Sequence, residues 1–185
     1  TGVQTCALPI SIHYRFRWFD AQKVAEQAQQ RVAEPWRIDQ GGSSLCGMAA
    51  VFYVMAKKFS QQYQKLAKDL HRKGEVAIDD YTVKPNSLVA ERMYSVRPTD
   101  AEYKALDMWE VDWIMLATTR SGESWLAFDG LGQGISDQFK SVNWPGMMAE
   151  LTHKVAGFKE ANEVDTGSVA MLIKKRSEEH TSELQ

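Results

Sequence analysis

From Leu45 to Ala56 the chain reads LCGMAAVFYVMA, without a charge before Lys57. A helix apolar on all sides cannot sit at a surface, so this segment is expected in the middle of a fold with other elements wrapped around it. The turn in front of it is Gly41-Gly42-Ser43-Ser44. Ser44 is the expected N-cap, which puts Leu45 and Cys46 in the first turn. Helix starts stabilise thiolates through their free N–H groups and dipole. Cys46 is therefore a candidate nucleophile held at the mouth of a buried helix.

The ends of the chain read differently from the rest. TGVQTCALPI can be encoded by ACT GGA GTT CAG ACG TGT GCT CTT CCG ATC. The reverse complement of that DNA, extended by one base and read in the adjacent frame, spells RSEEHTSELQ, the last ten residues. Two such segments resemble a sequencing adapter translated from opposite strands, and scars of that kind are set aside in reasoning about a fold. Residues 1–11 and 176–185 are thus expected to be artefact, and 12–175 one partial domain. Cys6 and His180 leave the set of chemically interesting residues.

The adapter-like ends hold one arginine and three glutamates, so the totals of 22 basic and 24 acidic residues leave 21 of each in between. A formally neutral domain has no electrostatic footprint for nucleic acid or an anionic membrane surface. No apolar run approaches the roughly 18 to 20 residues that span a bilayer. About 160 residues can bury one good core. With one cysteine in 12–175 there is no internal disulfide framework, and a reducing cytosol suits the chain.

Helical segments dominate the rest. Asp20 can cap FDAQKVAEQAQQRVAEP, where Val24, Ala25, Ala28 and Val32 mark one face before Pro35 ends it. Ser60 opens SQQYQKLAKDLHRKG, with Tyr63, Leu66, Ala67 and Leu70 at helical spacing and Gly74 as terminator. VAIDDYTVKPN reads as extended, NSLVAERMYSV as a short helix stopped by Pro98, and MWEVDWIMLATTR as a largely buried helix. FDGLGQGISDQF is a loop; its GLGQG does not fit a dinucleotide fingerprint because no helix opens on it. Pro145 and Gly157 bracket another helix, and SVAMLIK, 168–174, reads as a buried strand.

Acyl transfer through a thiolate also needs donors aimed at the oxygen that becomes negative. The Gln40 side-chain amide, folded back by Gly41 and Gly42, can serve together with the Cys46 backbone N–H. The run Gln40-Gly-Gly-Ser-Ser-Leu-Cys46-Gly47, followed by a buried helix, resembles the nucleophile region of papain-like cysteine proteases. Met48, Ala49 and Ala50 stand where papain itself carries an aromatic. The flavour is nearer to bacterial papain-like peptidases, including toxin effectors delivered by type VI secretion, to which WEVDWIMLATTR and VNWPGMM are similar. The likeness runs from about Trp36 to Ile173.

That resemblance implies an α+β papain-like fold, mainly the helical lobe with the beginning of the β lobe, truncated before the strand that carries the catalytic histidine. It implies a protein or peptide substrate, synthesis in a bacterial cytoplasm with delivery into competing cells, an immunity protein and a secretion component as partners, and no cofactor. His153 follows Cys46 in order and is the one in-chain candidate base, although it lies on a helix-like segment. His13, among aromatics, is read as a surface or packing residue, and His71 as a solvated helix residue. Trp109, Trp113, Trp125 and Trp144 are read as core. Neither Asp79 with Asp80 nor Asp129 with Asp137 has cation-ligand spacing, and a zinc site is not expected. The alternative is a non-catalytic helical binding domain in which Cys46 is a core residue, as free cysteines usually are.

Overall fold

The computed structural model describes residues 13–123, 131 and 145–158. They form seven α-helices and one two-stranded sheet, a mixed α+β arrangement. Helix α1, Ala21–Ala33, starts where the Asp20 side chain accepts the Lys23 N–H at 2.7 Å. It ends at Pro35, which opens a 3-10 turn, Pro35–Arg37. Helices α2, Cys46–Lys58, and α3, Ser60–Lys73, are joined through Phe59 alone, and α3 stops at Gly74 with φ 78°. The segment expected to be extended is a hairpin of β1, Val76–Ile78, and β2, Tyr81–Val83. Val76 faces Val83 and Ile78 faces Tyr81, and Asp79 takes the left-handed turn position at φ 51°. Short helices α4, Ala90–Ser95, and α5, Ala101–Leu106, lead into α6, Glu110–Gly122, and α7 covers Pro145–Lys154.

The centre of the core is α6, against which α1, α2 and α3 all pack. Every residue from Glu110 to Ser121 is buried. Trp113, on α6, is fully buried and stacks on Phe19 at 5.4 Å, with Phe16 and Tyr103 edge-on at 5.9 and 5.7 Å. Offset and edge-on aromatic pairs of this kind add to the burial of their area.

Two expectations need correction. Helix α2 is not covered all round: it buries Met48, Val51, Phe52, Met55 and Ala56, one stripe at i, i+3, i+4 spacing, and leaves Ala50 exposed. A stripe suffices because α2 lies to one side of α6, with α7 against it. His71 is not solvated but 2% exposed, with Nε2 2.8 Å from the Phe19 carbonyl oxygen. A carbonyl only accepts, so Nε2 carries the proton. Burial lowers the His71 pKa below the usual imidazole value.

SVAMLIK, Trp125, Trp144, Asp129, Asp137 and, apart from Leu131, the GLGQG stretch lie outside the described residues. No helix among the described residues is long and apolar enough to cross a membrane.

Candidate active site around the Gln40–Cys46 turn

Cys46 is the first residue of α2 and is exposed. Leu45, not Ser44, occupies the cap position, with φ −100° and ψ 21°, and makes no side-chain cap bond. The serine that works in this turn is Ser43, whose N–H and hydroxyl both donate to the Gln40 carbonyl oxygen, at 3.1 and 2.5 Å. The turn thus closes one residue earlier than expected, at Ser43, while the helix starts one residue later, which puts Cys46 at its first position. Behind it Leu45 is fully buried and anchors the turn in the core.

The glycines are there for space as well as flexibility. Gly41 has φ 55°, and a Cβ built on it would stand 2.0 Å from the Leu106 carbonyl oxygen at the end of α5. Gly42 donates its N–H to that same oxygen at 2.7 Å. Any side chain at 41 would push the turn off α5.

Gln40 is half-buried, and its Oε1 is out of contact with water and without a hydrogen-bond partner. An orphaned buried amide oxygen costs about 1–3 kcal/mol. Groups left unsatisfied in this way call for a reason, such as strain or a catalytic role. Oxyanion donation would use the Nε2 of the same amide.

The histidines lie elsewhere. His153 is exposed on α7 with Nδ1 2.6 Å from the Phe158 carbonyl oxygen, and the Phe158 ring packs edge-on against Phe59 at 5.3 Å. Phe59 closes the carboxyl end of α2, and a helix of that length separates it from Cys46 by roughly 20 Å. His71 is committed to Phe19 on α3, and His13 is exposed. Gln40 and Cys46 thus stand at the two ends of one turn, and the described residues place His153 at the opposite end of α2.

Beneath the turn lies a buried polar cluster that the sequence reading missed. On α6, Asp112 is fully buried, and Arg31 on α1 is 3% exposed. Arg31 Nε lies 3.1 and 3.0 Å from the two carboxylate oxygens, and Nη2 reaches Oδ2 at 2.5 Å. The Trp109 ring covers the guanidinium at 3.9 Å. Next to it Glu110 accepts from Lys23 Nζ at 2.6 Å and from Gln27 Nε2, while Gln27 Oε1 accepts the Val111 N–H at 3.0 Å. Burial pushes the Glu110 carboxyl up, but these hydrogen bonds outweigh it and hold the group below its ordinary value. Burial raises the Asp112 carboxyl to about 6 despite the opposing hydrogen bond and charge of Arg31. One signal was present in the sequence: Gln27 and Arg31, four apart, lie on the same stripe as Val24 and Ala28.

A cleft of about 440 Å³ opens beside the turn, walled by Trp36 and Trp109 and lined by Arg31, Arg37, Asp39 and Asp107 among others. Cys46 and Gln40 do not line it. Trp36 is 69% exposed, unusual for the largest side chain. Trp113 is core as expected, whereas Trp109 is only half-buried and serves Arg31. Asp79 and Asp80 are exposed at the hairpin turn, and no group of three or more His, Cys, Asp or Glu side chains among the described residues could hold a metal ion.

No protein-family model, no curated protein and no solved structure matches this chain.

Proposed function

We propose that the chain carries the nucleophile half of a papain-like thiol peptidase, of the kind bacteria deliver as toxin effectors. The single observation that supports this reading is the setting of Cys46: an exposed sulfur at the first position of a helix, preceded by a turn that only Gly41 allows. A cysteine kept for packing would be out of water.

In the proposed reaction the Cys46 thiolate attacks a peptide carbonyl carbon, forming the C–S bond and placing negative charge on the oxygen. The Cys46 N–H and the Gln40 amide stabilise that charge. Collapse breaks the C–N bond, the amine leaves with a proton from a histidine base, and water then hydrolyses the thioester through the same base. His71 is buried against Phe19 and His153 lies at the end of α2 away from Cys46, so we assign the base to a histidine in the second lobe, downstream of the strand expected at 168–174. The target would be a protein in a rival cell, and an immunity protein the natural partner.

A non-catalytic binding role is favoured by one observation, the exposed Trp36 beside its cleft. Alkylation separates the two readings. With iodoacetamide near neutral pH, and peptide mapping to resolve Cys46 from Cys6, the peptidase reading expects Cys46 to react well above the rate of a small model thiol. Reaction at or below that rate sinks it. In an active full-length protein Cys46→Ala should abolish turnover, and Gln40→Ala should lower kcat by about 10²–10³.

A further inference from the structure

The segment from Ile38 to Leu45 is rooted in the core by Leu45 and, more loosely, Ile38, and between them the turn that carries Gln40 is held by its backbone. Beyond the local bond of the Ile38 N–H to the Pro35 carbonyl, the segment's backbone is hung from two oxygens of distant elements, one carbonyl and one carboxylate. Gly42 donates to the Leu106 carbonyl of α5 at 2.7 Å, and Asp39 donates its N–H to Oδ2 of Asp112 on α6 at 3.3 Å. Between them the Asp39 carboxylate takes the Gly41 N–H at 2.9 Å, and Ser43 closes on Gln40. Only one of the two outside anchors can change its charge.

We propose that Asp112 is a positioning residue, a buried carboxylate clamp that fixes the Gln40–Cys46 turn on α6 while ionised and releases it when neutralised. Arg31 makes the clamp rigid: its guanidinium grips both carboxylate oxygens, and Trp109 holds the guanidinium flat. The carboxylate oriented by Arg31 has one remaining task, to accept from the turn. The groups that face Asp112 are Arg31 from α1, Asp39 from the turn, Tyr63 from α3 and Tyr103 from α5. Tyr63 is fully buried with its hydroxyl unpaired, so α3 offers Asp112 no competing donor. The Asp39 N–H favours the ionised carboxylate, and by linkage protonation of Asp112 favours the released turn. Burial has already raised that carboxyl to about 6, so release falls in a mildly acidic range.

As a positioning residue for acyl transfer Asp112 rests on the peptidase reading above; as a clamp on the turn it is measured without any turnover. The test is backbone hydrogen exchange on the full chain, with Asp112→Asn and Asp112→Glu beside the wild type. Asp112→Asn also leaves Arg31 uncompensated and lowers global stability, so the expected mark of the lost charge-assisted hydrogen bond is exchange at Asp39 and Gly42 sped at least about tenfold more than at α6 amides, with Asp112→Glu partly restored. In the wild type, protection of the same two amides, corrected for intrinsic rates, should fall as pH drops through about 6 and show no such step in Asp112→Asn. Unchanged exchange at Asp39, or loosening of the turn no greater than that of α6, overturns the clamp. Should Asp112→Asn fail to fold, the wild-type pH series decides alone: a flat profile across pH 5–7.5 overturns it. A clamp that passes while Cys46 alkylates at or below the model-thiol rate leaves the positioning intact and removes the peptidase; the reverse result does the opposite.

Discussion

Helices α2 and α6 have the same length, and their sequences rank them in the wrong order. No charge interrupts α2 before Lys57, yet it lies to one side and leaves Ala50 exposed and Val54 half-buried. Glu110, Asp112 and Arg120 all lie on α6, yet it is buried from Glu110 to Ser121. The difference lies in partners. Lys23, Gln27 and Arg31 on α1 meet the two carboxylates of α6, and acidic groups in the first turn of a helix are favoured by its dipole. Hydropathy measures what a segment loses in water, whereas its place in a fold depends on whether each polar group finds an answer there.

The comparison is broken most severely by removing one answer. Asp112→Ala leaves the Arg31 guanidinium buried and uncompensated and should cost about 3–5 kcal/mol in urea unfolding, while Arg31→Met combined with Asp112→Leu should fall much closer to wild type. Equal losses in single and double variants would show that the pair, and not the orphaned charge, carries the energy. At the approach to α2, Gly41→Ala forces a side chain into the left-handed region and onto Leu106, where a penalty of about 1–2 kcal/mol from the backbone alone is enlarged by the collision. Its midpoint in urea should drop, and Cys46 alkylation should change with it.

A smaller effect, confined in pH, comes from α3. His71 is held neutral by burial, so its contribution is present above the ordinary imidazole value of about 6.5 and is lost as pH falls below it, because only the unfolded chain takes the proton readily. Asp112 acts with the opposite sign over roughly pH 4–6, since the folded carboxyl binds its proton first. The stability of the wild type relative to His71→Gln should therefore shrink between pH 7 and 5; a constant difference would mean that His71 does not titrate on unfolding. The smallest expected effect lies on the open side of α2, where Val54→Ala should cost under about 1 kcal/mol. A loss of 2 kcal/mol there would mean that something covers this face in solution.

Much of the architecture was legible because local rules act on neighbours. Asp20 caps α1, Gly74 ends α3, Pro145 starts α7, and the apolar density of α6 marks it as buried. Cys46 was legible as a first-turn residue, though one position off, because Leu45 rather than Ser44 stands at the cap. The Arg31–Asp112 pair was not legible: its members are 81 residues apart, and each alone reads as a solvated charge. His71 was misread for the same reason, since the carbonyl that receives its proton belongs to Phe19, 52 residues away.

By itself the sequence determined where helices begin and end and that one sulfur stands at a helix start, because caps, glycines and prolines act within a few residues. The tertiary structure alone decided which helix became the centre, which charges could be buried, and what the turn before Cys46 hangs from. Those outcomes depend on hydrogen bonds between distant segments in a medium of low dielectric, and only the assembled fold creates that medium.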